Sequence, residues 1–161
     1  MDEQFVVRVE GCALMGQVWG AGPAVVLLHG AGMDRAVFDD QVMPLVDAGF
    51  RVAVPDLRGH GRSRPSATAP SAEVLERDVL AVMDELGMDR AALVGQALGG
   101  TIAQGLDRDH PERVSALAAL GTVWNADRPT GPRVPGVPGR ALSRCPIGRA
   151  ALRRLADSAS T

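Results

Sequence analysis

The stretch Gly95-Gln96-Ala97-Leu98-Gly99-Gly100 constrains this chain more than any other. It stands between an apolar run, Ala91 to Val94, and a segment carrying Leu98, Ile102 and Leu106 at helical spacing. That order reads as strand, tight turn, helix. A strand that turns this sharply into a helix holds its central residue in a strained backbone conformation. The chain crowds itself on both sides, so the positions two residues away must lack a Cβ. Gly95 and Gly99 meet that need, and Gly100 adds a third position of close approach. The central residue is Ala97, whose methyl group has no nucleophilic atom.

Other segments give the sheet its order. Phe5 to Glu10 and Leu14 to Trp19 read as two strands joined at Gly11-Cys12. Ala24 to Leu28 is a continuous apolar run, as expected of a strand buried on both faces. Val37, Phe38, Val42, Leu45 and Val46 suggest a helix that Pro44 should kink or divide. Arg51 to Val54 is a further short strand, closed by Pro55-Asp56. A helix is expected from about Ser71, with Leu75, Val79, Val82, Met83 and Leu86 on one face and Gly87 as its stop. Val114 to Leu120 is the last apolar stretch. Strands alternating with helices predict an α/β fold: a three-layer sandwich, mostly parallel, with crossover helices.

Composition narrows the function classes. The net charge is −2, which offers no general attraction to nucleic acid or to anionic lipid. No apolar run is long enough to span a bilayer. The acidic start, Met1-Asp2-Glu3-Gln4, lacks the pattern of a signal peptide, so the expected location is the cytoplasm. Cys12 and Cys145 are too few for a disulfide framework and lack metal-ligand spacing. The three histidines, His29, His60 and His110, form no ligand pair at helical spacing, and the 95–100 glycines miss the dinucleotide fingerprint. Neither metal nor cofactor is expected. Charge and composition change near residue 122. Residues 1–121 hold 17 acids and 10 arginines, whereas 122–161 hold 7 arginines against Asp127 and Asp157, with five prolines. The expected division is a core over 1–121 and a Pro/Arg-rich segment over 122–161, whose arginines read first as a solvated face.

Three motifs in order carry a resemblance. His29-Gly30-Ala31-Gly32 follows one buried strand, Asp56-Leu57-Arg58-Gly59-His60-Gly61-Arg62-Ser63 follows the next, and the elbow comes third. Over about residues 5–125 the chain resembles the N-terminal half of an α/β-hydrolase fold protein. The resemblance implies that 95–100 is a nucleophile elbow. It implies that the backbone N–H groups of Ala31 and Leu98 form an oxyanion hole, which stabilises negative charge developing on a carbonyl oxygen. His29, Gly30, Gly95, Gln96, Gly99 and Gly100 would be structural supports of that site. It further implies a lid opening over 122–161, with the sheet incomplete on its C-terminal side.

One departure changes the expected function. Ala97 stands where the family has serine, or the aspartate of its dehalogenase and epoxide-hydrolase branches. The family's triad acid and histidine follow later in the chain. His110 lies thirteen residues beyond Ala97 along the elbow helix, about 20 Å at 1.5 Å per residue, too far to act as base. Thr101, one turn along, reads as helix surface or a packing residue, and His29 and His60 as partners of loop backbone. The family chemistry implied is hydrolysis of esters, lactones or related carbonyl substrates, with little or no activity in this chain. The alternatives are a non-catalytic protein binding a small apolar carbonyl ligand, or a fragment that needs a partner half. The uncharged edge at 114–120 would then invite self-association.

Overall fold

The computed structural model describes residues 2–64, 66 and 70–122. Six strands form one sheet: β1 (Asp2–Val9), β2 (Cys12–Trp19), β3 (Ala24–Leu28), β4 (Arg51–Pro55), β5 (Ala91–Gln96) and β6 (Val114–Leu120). Their spatial order is β1-β2-β4-β3-β5-β6. β1 pairs antiparallel with β2, and β2 antiparallel with β4. From β4 through β3 and β5 to β6 every pairing is parallel.

Alternation along the strands sorts side chains into two cores. Val26, Leu28 and Leu93 pack on one side with α2 (Ala72–Glu85) and α3 (Leu98–Asp109), through Leu75, Val79, Val82, Met83, Ile102 and Leu106. Val25, Leu27, Val52, Val54, Ala92 and Val94 face the other side, against Phe38, Val42 and Leu45 of the α1 region (α1, Asp39–Asp47). The period of two along a strand makes each strand of the parallel block a wall shared by both cores. All four side chains from Val25 to Leu28 are fully buried, as a continuous apolar run requires. The expected three layers are present.

Two local expectations are corrected. The first hairpin turns at Glu10-Gly11, not Gly11-Cys12, because Cys12 pairs with Val9 as the first residue of β2. Gly11 takes the positive φ of 71° that a two-residue hairpin turn demands. Pro44 does not divide its helix: α1 runs unbroken across it. The break falls earlier, where a short 3-10 turn over Arg35–Phe38 precedes α1. Val42 and Leu45, both buried against the sheet, hold the helix through the one backbone bond that proline removes.

Sequence signals end the other elements where expected. Ser71 caps α2, its hydroxyl accepting from the Val74 N–H at 3.4 Å. Gly49 and Gly87, at φ of 85° and 62°, stop α1 and α2. The lid expected over 122–161 lies outside the described residues, apart from Thr122.

Candidate active site

The site forms where β3, β4 and β5 release the chain at their C-terminal ends, the usual position for chemistry in a parallel α/β sheet. β5 ends at Gln96 and α3 begins at Leu98, leaving Ala97 alone as the turn. Ala97 has φ 47° and ψ −109°, and it is the one non-glycine residue with positive φ among the described residues. An alanine gains nothing from that conformation, so the surrounding chain imposes it. Its N–H donates to the Leu120 carbonyl of β6 at 2.9 Å, and its own carbonyl accepts from the Thr101 N–H at 3.1 Å. The turn is thus anchored on both sides, and the methyl group projects exposed at the top of the sheet.

The glycines of the turn are sterically required. A Cβ on Gly95 would stand 2.2 Å from the Gly99 carbonyl oxygen. One on Gly99 would stand 2.0 Å from the Leu28 carbonyl oxygen of β3. At Gly100 the obstacle is the Thr122 side chain, at 2.7 Å. Backbone atoms block the first two positions, and backbone cannot swing aside. Gly30 brings the β3 loop to the elbow: a Cβ there would lie 3.5 Å from the Ala97 Cβ and 3.6 Å from the Gln96 carbonyl oxygen.

His29 explains how that loop is held. Its ring is fully buried and bridges two loops. The Leu57 N–H donates to Nε2 at 2.9 Å, which makes that nitrogen the acceptor. Nδ1 therefore carries the proton and donates to the Gly30 carbonyl at 2.8 Å. Burial pushes the imidazole pKa below its ordinary value, outweighing the bond to Gly30, and nearby His60 lowers it further. His60 stands with its ring centroid 5.3 Å away, edge to face, and its Nδ1 lies 3.0 Å from the Arg58 carbonyl. Both rings are thus engaged with loop backbone, as expected. The Gly30 carbonyl also accepts from the Met33 N–H at 3.3 Å. With that oxygen turned to His29 and Met33, a planar trans peptide directs the Ala31 N–H the opposite way. The N–H groups of Ala31 and Leu98 have no acceptor among the described residues.

His110 ends α3 as its C-cap, so the elbow helix runs its full length between Ala97 and this ring. It lies 3.6 Å from Glu112 in an exposed pair. Thr101 bonds along the helix surface, its hydroxyl 3.5 Å from the Ala97 carbonyl and 3.3 Å from the Thr122 hydroxyl. Among the described residues no three His, Cys, Asp or Glu side chains gather as a metal site.

Several supporting residues carried no assigned role from the sequence. Asp56 is buried, with one carboxylate oxygen accepting from the Arg35 N–H at 2.8 Å and the other from the Arg62 N–H at 3.0 Å. Ser63 donates to the Asp56 carbonyl at 2.7 Å and accepts from the Met15 N–H at 2.9 Å, which ties the loop to β2. Arg58 makes two 2.7 Å bonds to the Asp78 carboxylate of α2 and one of 2.6 Å to the Glu10 carbonyl. A buried, two-pronged pair raises the arginine pKa still further, chiefly through the Asp78 bonds. A polar pair at the two ends of a Gly-rich loop, Asp56 and Ser63, was the available signal.

A family model described as alpha/beta hydrolase fold matches residues 23–151. The chain belongs to the alpha/beta hydrolase fold family. Among curated relatives it is 36% identical over 131 residues to "Bifunctional epoxide hydrolase 2" of Sus scrofa, covering 80% of this chain and 24% of that protein. It is 40% identical over 107 residues to a 2-hydroxy-6-oxononadienedioate/2-hydroxy-6-oxononatrienedioate hydrolase of Cupriavidus pinatubonensis, covering 63% and 37%. Among solved structures, Est816, described as an N-acyl homoserine lactone degrading enzyme, superposes with TM-score 0.70 at 37% identity, over 73% of this chain and 45% of that one. The epoxide hydrolase VrEH1 of Vigna radiata superposes with TM-score 0.71 at 28% identity, over 84% and 41%. The chain thus spans less than half the length of each of these relatives.

Proposed function

We propose that this chain keeps the carbonyl-binding geometry of a hydrolase without its nucleophile. The supporting observation is Ala97, which sits at the apex of a fully formed elbow with φ 47° and no reactive atom. The N–H groups of Ala31 and Leu98 serve as the oxyanion donors, the first aimed by the His29 bond to Gly30 and the second at the start of α3. Because both are backbone groups, alanine at 97 leaves them in place. The ligand is a small apolar molecule bearing an ester, lactone or related carbonyl, held reversibly. Loss of a triad nucleophile lowers turnover by about a million-fold, so hydrolysis by this chain is at or near background. Two cysteines without a framework favour a reducing compartment, and we place the protein in the cytoplasm.

The relatives' printed activities include ester-like lactone and epoxide substrates, so both chemistries enter the test. Steady-state assays on p-nitrophenyl acetate and on styrene oxide should show no turnover above buffer. Neither Ala97→Ser nor Ala97→Asp should restore it alone, because His29 has both nitrogens committed and His110 stands at the far end of α3. Strong hydrolysis by either variant would show that a base within reach had been overlooked.

A second reading concerns β6, the outermost of the described strands on its side of the sheet. Ala116, Leu117, Ala119 and Leu120 are only half-buried there, and the strand carries no charge. An uncharged apolar edge favours pairing with another chain, either a second copy or a complementing half. Sedimentation at rising concentration tests this: association supports the reading, and a monomer throughout contradicts it.

A further inference from the structure

The loops that leave β3 and β4 face each other across a cleft of about 370 Å³. Gly32 and Arg35 lie on one wall, and Asp56, Gly61, Arg62 and Arg64 on the other. The cleft adjoins the carbonyl site, since Gly32 directly follows Ala31. Its geometry is fixed from below. The buried Asp56 carboxylate takes one backbone N–H from each wall, Arg35 and Arg62, and so clamps the two loops at a set separation. Gly61 permits that contact, because a Cβ at its position would lie 2.4 Å from the Asp56 carboxyl carbon.

The charges are arranged unequally. Asp34 and Asp56 are the two acids of the lining, and both accept from backbone: Asp34 caps the Ala36 N–H at 2.9 Å. The three guanidinium groups have weaker attachments. Arg35 reaches Asp39 only at 4.0 Å. Arg62 meets a neutral partner, the Gln4 side-chain oxygen, at 3.4 Å. Arg64 has no partner among the described residues, and it is exposed, as is Arg62. Asp39 answers Arg35, which leaves the Arg62 and Arg64 guanidinium groups without a carboxylate partner among the described residues. Guanidinium is planar and offers paired donors that match a carboxylate.

We propose that this cleft binds the carboxylate of a small organic acid, through Arg62 and Arg64, beside the carbonyl site. Two guanidinium groups without an acid of their own can take the two oxygens of a single carboxylate. A phosphate dianion would bring a second negative charge over Asp34 and Asp56, which the lining does not balance. Such a ligand adds one acid group to the otherwise apolar carbonyl compound proposed above, as in an oxo-acid or half-ester, with its acid end in the cleft and its carbonyl pointing along the loop toward Ala31. Only that orientation rests on the reading of Ala31 and Leu98 as oxyanion donors; the binding of the acid does not.

The test is a titration of the whole chain with levulinate, followed by backbone amide and arginine side-chain resonances. Methyl levulinate and inorganic phosphate are the comparison ligands. Saturable shifts at Arg62 and Arg64 with levulinate, weakened by added salt, are expected. The double variant R62Q/R64Q should bind about tenfold more weakly with an unchanged thermal midpoint, since both side chains are exposed. Equal binding of the methyl ester, tighter binding of phosphate, unaltered binding by the double variant, or no saturable shift would each overturn the proposal. Shifts at the arginines with none at Ala31 would uphold the cleft and overturn the orientation alone.

Discussion

Replacement of Gly99 by alanine sets two physical effects against each other with opposite signs. Gly99 lies in the first turn of α3, and by helix propensity alone alanine there should stabilise the protein by about 0.5–1 kcal/mol. Packing argues the reverse. The new Cβ would stand 2.0 Å from the Leu28 carbonyl oxygen and 2.5 Å from its carbon, where contact distances near 3.4 Å are needed. Leu28 is a fully buried residue of β3, paired with Gly95 of β5, so the sheet and helix must separate by more than an ångström. Overpacking of this kind costs about 1–3 kcal/mol in side-chain contacts, and a backbone obstacle lies at the upper end. The net expectation is a loss of about 2 kcal/mol or more, several degrees in the thermal midpoint. Gly105→Ala is the internal control. The atoms nearest its Cβ are the end of the buried Glu76 side chain, a flexible group where Gly99 faces backbone, so that variant should cost clearly less than Gly99→Ala. Urea unfolding of both variants, with equal m-values, measures the difference. Gly99→Ala as stable as the parent protein would refute the claim that strand and helix touch through this glycine.

Three further outcomes follow from the same contacts. Asp78→Ala leaves the Arg58 guanidinium largely buried with only the Glu10 carbonyl, and should cost about 3–5 kcal/mol in urea unfolding; a loss under 1 kcal/mol would show the pair to be solvated. His29 has a pKa below its unfolded value, so its contribution is fully present above about pH 6.5 and is lost as pH falls toward the folded pKa. Unfolding midpoints between pH 8 and pH 5 should therefore drop more steeply in the parent protein than in His29→Gln. Glu76 has the opposite relation, its pKa raised chiefly by burial, so its ionised form is disfavoured in the folded protein at neutral pH. Glu76→Gln should raise the midpoint at pH 7, with the gain shrinking as pH falls through the folded pKa toward the unfolded value; a lowered midpoint at pH 7 would contradict the assignment.

How legible this protein was depended on the range of each interaction. The buried run Val25 to Leu28 and the glycines of the elbow announced themselves because every residue in them answers to one local constraint. Pro44 misled for the same reason: proline weakens a helix locally, but Val42 and Leu45 decide the matter from the sheet. The hairpin moved by one residue because its register is set by pairing with β2, and a turn dipeptide alone does not specify it. Within the site, Ala97 and the neighbouring Gly30 were readable as a motif. The roles of Asp56, Ser63 and Arg58 were not, since Arg35, Met15 and Asp78 lie far from them along the chain and charge alone does not name such partners. The cleft between the loops is a property of two walls brought together, and nothing within either wall signals it.

In the proposed function the site holds a carbonyl without cleaving it. A single titration of the chain with ethyl butyrate, read by amide resonances while the ester itself is followed in the same tube, addresses both halves. Saturable shifts at Ala31 and Leu98 are expected, with the ester hydrolysed no faster than in buffer. Accelerated hydrolysis, or an ester that leaves both amides unmoved, would overturn the proposed function.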